Sequence, residues 1–141
     1  MTMNDPQQTG ETPYQLLGGD AGVRRLVDRF YALMDEVPEY HGIRRLHPRE
    51  LSTSAEKLYL FLSGWLGGPP LYLEKHGHPM LRARHLPFPI GIAERDAWLA
   101  CMLQAMEDCG VEETLRMALL KAFFGTADWM RNRPEPGAPD S

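Results

Sequence analysis

Apolar residues recur along this chain at helical spacing, broken by glycine and proline, and nowhere alternate as they would in a half-buried strand. The clearest run is Val23, Leu26, Val27, Phe30, Tyr31 and Met34, which marks one face of an amphipathic helix with Asp20 as its N-cap. Ahead of it, Thr12-Pro13-Tyr14-Gln15 has the form of a capping box with proline at the first helical position, and Gly18-Gly19 ends that turn. Pro38 and Gly42 should break the long helix, leaving a short segment with Ile43, Leu46 and His47 before Pro48. A second capping box, Thr53 with Glu56, predicts the next helix, with Ala55, Leu58, Phe61, Leu62 and Trp65 on one face and Gly67-Gly68-Pro69-Pro70 as its stop. Two long helices follow. Ile92 to Cys109 carries Trp98, Met102, Ala105 and Cys109 on a stripe, and Val111 to about Arg131 aligns Leu115, Leu119, Ala122, Phe123, Thr126 and Met130. The fold class expected is all-α.

The chain has 141 residues, enough for one sizeable core and too few for two. Hydrophobic residues make up 43% and charged residues 24%, as in ordinary globular domains. The polar ends, 1–11 and the proline-rich 134–141, are expected to be mobile tails around a folded domain at 12–133. A net charge of -4 with dispersed Lys and Arg argues against nucleic acid or an anionic membrane as partner. No stretch approaches the roughly 18 apolar residues of a membrane span, and no leader pattern opens the chain, so a cytoplasmic location is expected. Cys101 and Cys109 share one predicted helix, where about 12 Å of rise separates them, too far for a disulfide.

Residues 71–91, LYLEKHGHPMLRARHLPFPIG, fit none of the helical stripes, and only a short helix fits between Pro79 and Pro87. A loop-rich stretch of about 20 residues inside a compact domain usually serves a function. A flat apolar ligand would give Leu81, Phe88 and Ile90 a surface to bury. A haem is such a ligand, and its iron needs an axial donor. Among the histidines, His76 and His78 lie in H-G-H-P and read as solvated loop. His85, bracketed by Arg84 and the apolar Leu86, Phe88 and Ile90, is a candidate iron ligand, although a lone histidine beside apolar residues is by itself more often structural. A zinc site from His76, His78 and His85 fits no standard ligand spacing and has no cysteine near it in sequence.

The run G-G-P-x-x-Y-x-x-x-x-G-H-P-x-L-R-x-R-H-x-P-F-x-I at Gly67–Ile90, followed by E-R-D-A-W-L at Glu94–Leu99, resembles the truncated haemoglobins of group II. Gly18-Gly19 and the D-R-F-Y of Asp28–Tyr31 extend the resemblance over about residues 13–131. It implies a two-over-two helical sandwich enclosing one haem b (iron protoporphyrin IX), with Val23–Met34 and Ala55–Leu66 as one helix group and Ile92–Cys109 and Val111–Arg131 as the other. It also implies His85 as the proximal iron ligand.

On the opposite face of the haem, the resemblance places the phenol of Tyr31, the indole of Trp98 and the imidazole of His47, where relatives often carry tyrosine or phenylalanine. Tyr31 and Trp98 can donate hydrogen bonds to a bound ligand, the indole as a donor only. Ser54 falls where classical globins have their distal histidine, with Leu58 one turn on as an apolar lid, so a five-coordinate or water-bound iron is expected. Arg84, Lys57 and Tyr72 are candidates to hold the propionates, and Phe61, Leu62, Leu81, Phe88, Ile90 and Met102 are candidates for the haem wall. The function implied is binding, carriage or sensing of oxygen or another diatomic ligand. The alternative is a peroxidase-like or nitric-oxide-detoxifying enzyme, which would need a separate reductase. Motifs alone do not separate these readings, nor a monomer from a homodimer.

Overall fold

The computed structural model describes residues 11–133, so the tails expected at 1–11 and 134–141 lie, but for Glu11, outside the described residues. Eight α-helices and one 3₁₀ turn make up the regular structure, with no strand among the described residues. In order they are α1 (Pro13–Leu16), α2 (Gly19–Glu36), the 3₁₀ turn Pro38–Tyr40, α3 (His41–Arg44), α4 (Ser52–Trp65), α5 (Leu71–His76), α6 (Leu81–His85), α7 (Ile92–Asp108) and α8 (Glu113–Trp129). No described helix is long and apolar enough to cross a membrane.

The chain divides into two compact units, the boundary falling inside α2 between Asp28 and Arg29. The first comprises residues up to Asp28 with Ser52–Pro79. Here the Thr12/Gln15 capping box forms as expected, each residue's side chain accepting from the other's backbone N–H. Asp20 is not an N-cap: α2 already begins at Gly19, and the Asp20 carboxylate accepts instead from the Tyr59 hydroxyl. The Thr53/Glu56 box is also absent, because α4 begins at Ser52, which puts Thr53 inside the helix, and Glu56 pairs with Arg24 at 2.7 Å. The most buried side of α4 is Tyr59, Leu60, Leu62 and Ser63, continued by Leu66 just past its end, rather than the whole predicted stripe, of which Ala55, Leu58, Phe61 and Trp65 remain half-buried. Gly67, at φ 98°, stops the helix as expected. The following residues, expected as loop, make one helical turn and a half, α5, before Gly77. Proline at position 70, just before the helix, leaves the first turn free to form.

The second unit comprises Arg29–Leu51 with the chain from Met80 onward. Pro38 ends α2, but Gly42 does not break anything; it lies inside α3. α7 starts where Gly91 N–H donates to the Glu94 carboxylate at 2.7 Å. It ends one residue before the expected Cys109, which caps it, and the turn through Gly110 (φ 74°) leads into α8. Phe30, Met34, Cys101, Met102, Ala105 and Met106 are fully excluded from solvent and form the centre of this unit. On α8, Leu119, Phe123 and the following Met130 are buried as the stripe requires, while Ala122 faces solvent. Cys101 and Cys109 are free thiols.

Candidate functional site

His85 is the last residue of α6, and its ring is oriented by the helix that carries it. Nδ1 lies 2.6 Å from the Leu81 carbonyl. A carbonyl can only accept, so Nδ1 carries the proton, and a neutral ring then presents the lone pair of Nε2 outward. Around this imidazole the chain exposes apolar surface: Leu86 is 53% and Phe88 40% accessible, with Leu81 and Ile90 half-buried. Arg84 is exposed beside it. One nitrogen donor set among apolar, partly solvent-facing side chains, next to an exposed cation, has the chemistry to take a planar apolar group with a metal at its centre and carboxylates at its edge.

The same unit gathers an aromatic cluster. Phe30 is its buried hub, with the Tyr31 ring centroid 5.0 Å away and the Trp98 centroid 5.2 Å away, and Trp98 in turn meets Phe123 edge-on at 5.4 Å. Such tilted and edge-to-face pairs favour the ring quadrupoles and hold each ring in one orientation. The His47 ring stands edge-on to Tyr31 at 5.7 Å. Neither the Tyr31 hydroxyl nor the Trp98 indole N–H has a hydrogen-bond partner among the described residues. Burial, reinforced by Cys101, raises the Tyr31 phenol far above its usual range, so it remains an O–H donor. Burial likewise pushes the neighbouring Cys101 thiol up to about 12, and its Sγ lies 3.3 Å from the Phe30 carbonyl as donor, so it behaves as a packed apolar group.

His47 is held by its own loop. Nδ1 donates to the Ile43 carbonyl at 2.8 Å. Arg44 clamps the turn by donating to Asp35 (2.8 Å), the Pro48 carbonyl (2.9 Å) and the Arg49 carbonyl (2.8 Å). The His47 pKa is lowered chiefly by burial, which outweighs the opposing effect of the Ile43 bond, with the charges of Arg44 and His85 adding to the lowering. The imidazole is thus neutral at pH 7, with Nε2 an acceptor.

Tyr31, His47, Trp98, Met102, Leu81, Arg84, His85, Phe88 and Ile90 therefore all belong to the second unit, with Met102 fully buried on α7. The remaining sequence candidates belong to the first. Ser54 and Leu58 are half-buried and Lys57 exposed on α4, Leu62 is buried there, and the half-buried Phe61 leans on Trp65 at 6.4 Å. Tyr72 is buried on α5 with its ring 4.9 Å from His76. Among the described residues no group of three His, Cys, Asp or Glu side chains is gathered as an ion-binding set. Sequence reasoning missed Arg44, which appeared only as one more dispersed cation, and Asn132, which lay near the expected end of the last helix. A polar amide just past a helix end is a familiar capping signal, but nothing in the sequence names its partner.

A sequence profile of the bacterial-like globins matches residues 12–132. The group 2 truncated hemoglobin YjbI of Bacillus subtilis (strain 168) is 44% identical over 128 residues, covering 91% of this chain and 94% of that protein. Among solved structures, the group II 2-on-2 hemoglobin from the plant pathogen Agrobacterium tumefaciens is similar with a TM-score of 0.85 at 48% identity, over 90% of this chain and 98% of that one. The truncated oxygen-avid haemoglobin from Bacillus subtilis is similar with a TM-score of 0.79 at 44% identity, over 86% of this chain and 100% of that one.

Proposed function

This chain belongs to the bacterial-like globin family, as a group II truncated haemoglobin, and from that premise we propose that it holds a haem b through His85 and binds oxygen, or another diatomic ligand, beside Tyr31, Trp98 and His47. Membership of a globin family implies haem binding, and the globins bind small diatomic ligands. The observation that carries the finer reading is the 2.6 Å bond from His85 Nδ1 to the Leu81 carbonyl. It selects the tautomer whose Nε2 can donate to iron.

When bound, the haem supplies the ferrous iron to which a diatomic ligand attaches. The protein's part is to hold the group, exclude water and offer hydrogens to the ligand. Tyr31 O–H and Trp98 Nε1–H are suited to that because no protein group among the described residues competes for them. Neutral His47, with its proton committed to Ile43, offers an acceptor beside the Tyr31 ring. The exposed Arg84 is suited to a propionate. The relative that is described as oxygen-avid supports oxygen as the ligand.

Replacing His85 by glycine tests the reading. The variant should lose haem and its Soret absorption on gel filtration, and added imidazole should restore both. Retention equal to the unaltered protein would show that another residue holds the iron.

A further inference from the structure

The helix that carries His85 cannot hold itself in place. α6 has five residues, where isolated helices shorter than about 12–15 residues are marginal in water. It starts from Met80, whose φ of 52° puts a residue with a β-carbon in the left-handed region. Prolines at 79 and 87 close it off on both sides.

What fastens the segment comes from just beyond the end of α8. The Asn132 amide nitrogen donates to the Phe88 carbonyl at 2.8 Å and to the carbonyl of His85 itself at 3.2 Å, while the Asn132 amide oxygen accepts from Ile90 N–H at 3.0 Å. The backbone N–H groups of Asn132 and Arg133 both donate to the Ile90 carbonyl, at 2.8 and 3.2 Å. Arg82, within α6, reaches the same stretch, its guanidinium 3.3 Å from the Trp129 carbonyl and 3.4 Å from that of Arg131. The orientation of the amide follows from its partners, since two carbonyls need the NH₂ and one N–H needs the oxygen. Asparagine meets that demand, aspartate offers only acceptors, and leucine offers neither.

The geometry points to Asn132 as a positioning residue for the His85 imidazole: it pins the His85 carbonyl and the residues three and five positions on. The Leu81 carbonyl turns the ring within α6, and the exit of α8 fixes where α6 itself stands. This rests on the reading that His85 ligates haem iron. It adds that the stiffness of that bond depends on a residue 47 positions away in sequence. Groups that orient a metal-bound histidine commonly change metal affinity by about 10–100-fold when removed.

The test uses the full-length Asn132→Leu and Asn132→Asp variants, with Leu26→Ala as a control that loosens the first unit's core without touching this clamp. Three readouts apply: the iron–histidine stretching band of the ferrous, ligand-free protein by resonance Raman, the rate of haem transfer to an excess of apomyoglobin, and exchange of the Ile90 amide hydrogen in the haem-free chain. Both Asn132 variants should shift and broaden the band and speed haem transfer by about tenfold or more. Asn132→Leu should also speed Ile90 exchange, whereas Leu26→Ala leaves the band where it is. A band of unchanged frequency and width in Asn132→Leu overturns the role, as does a shift of the same size in Leu26→Ala. If the unaltered chain takes up no haem, the function proposed above falls, and the role assigned to Asn132 falls with it. If it holds haem through His85 and the Asn132 variants match it, only the role falls.

Discussion

Replacing Tyr31 by phenylalanine removes one oxygen atom and leaves the ring among Phe30 and His47. Removing a hydroxyl that is bonded within the protein usually costs about 0.5–1.5 kcal/mol of stability. Here the hydroxyl has no partner among the described residues and the residue is 9% accessible. The ligand-free protein should therefore lose no more than about 0.5 kcal/mol, and its thermal midpoint should move by no more than about 2 °C. The bound ligand, by contrast, loses a donor. At about 1–1.5 kcal/mol, oxygen should dissociate roughly 5–13 times faster, since each 1.4 kcal/mol is a factor of ten. Burial keeps the phenol protonated well past its ordinary value of 10.0, so the ratio of off-rates should stay constant across the neutral range. Stopped-flow replacement of oxygen by carbon monoxide measures the rate, and thermal unfolding of the haem-free and haem-loaded protein measures the stability. An off-rate equal to that of the unaltered protein would refute the assignment. So would a stability loss above about 1 kcal/mol in both forms, which would mean that the hydroxyl is already bonded inside the protein.

His47 should make stability depend on pH. Its folded pKa lies below the unfolded value of 6.5, so the folded state binds fewer protons in the window between the two. The stabilising contribution is complete above about pH 6.5 and is lost as pH falls through the lowered folded value. The urea midpoint should fall between about pH 7.5 and pH 5, and His47→Gln should flatten that part of the profile; an equally steep profile in the variant would place the titration elsewhere. Two glycine substitutions should move stability in opposite directions. A β-carbon at Gly22, inside α2, would stand 1.9 Å from the Leu17 carbonyl oxygen, whereas one at Gly42, inside α3, meets nothing within 4 Å. Gly22→Ala should cost at least about 2 kcal/mol through a forced backbone shift, and Gly42→Ala should add about 0.5–1 kcal/mol by lowering the entropy of the unfolded chain. Denaturant unfolding measures both, and equal signs would refute the packing argument.

Helical periodicity alone located the long helices, because an amphipathic stripe and its glycine or proline stops are properties of residues within a turn or two of one another. It failed at features that depend on distant partners. Asp20 and the Thr53/Glu56 pair have the residue types of caps, but Tyr59 and Arg24 engage Asp20 and Glu56 instead. The α5 helix was invisible because six residues leave no room for a repeating stripe. In the candidate site, His85 stood out only inside its motif. The sequence supplied Tyr31, His47 and Trp98 as separate letters, and folding gathers all three with Phe30 in one unit.

By itself, then, the sequence determined that the chain is all-α, where its long helices run, and which histidine has an apolar, proline-bounded setting. Only the tertiary structure decided which ring nitrogen of His85 carries the proton, that the Tyr31 and Trp98 donors have no partner among the described residues, and that Asn132 reaches back to the His85 carbonyl. The reason is one of range. Stripes and stops act over a few residues, whereas hydrogen-bond satisfaction is settled by whichever groups the folded loops bring within about 3 Å.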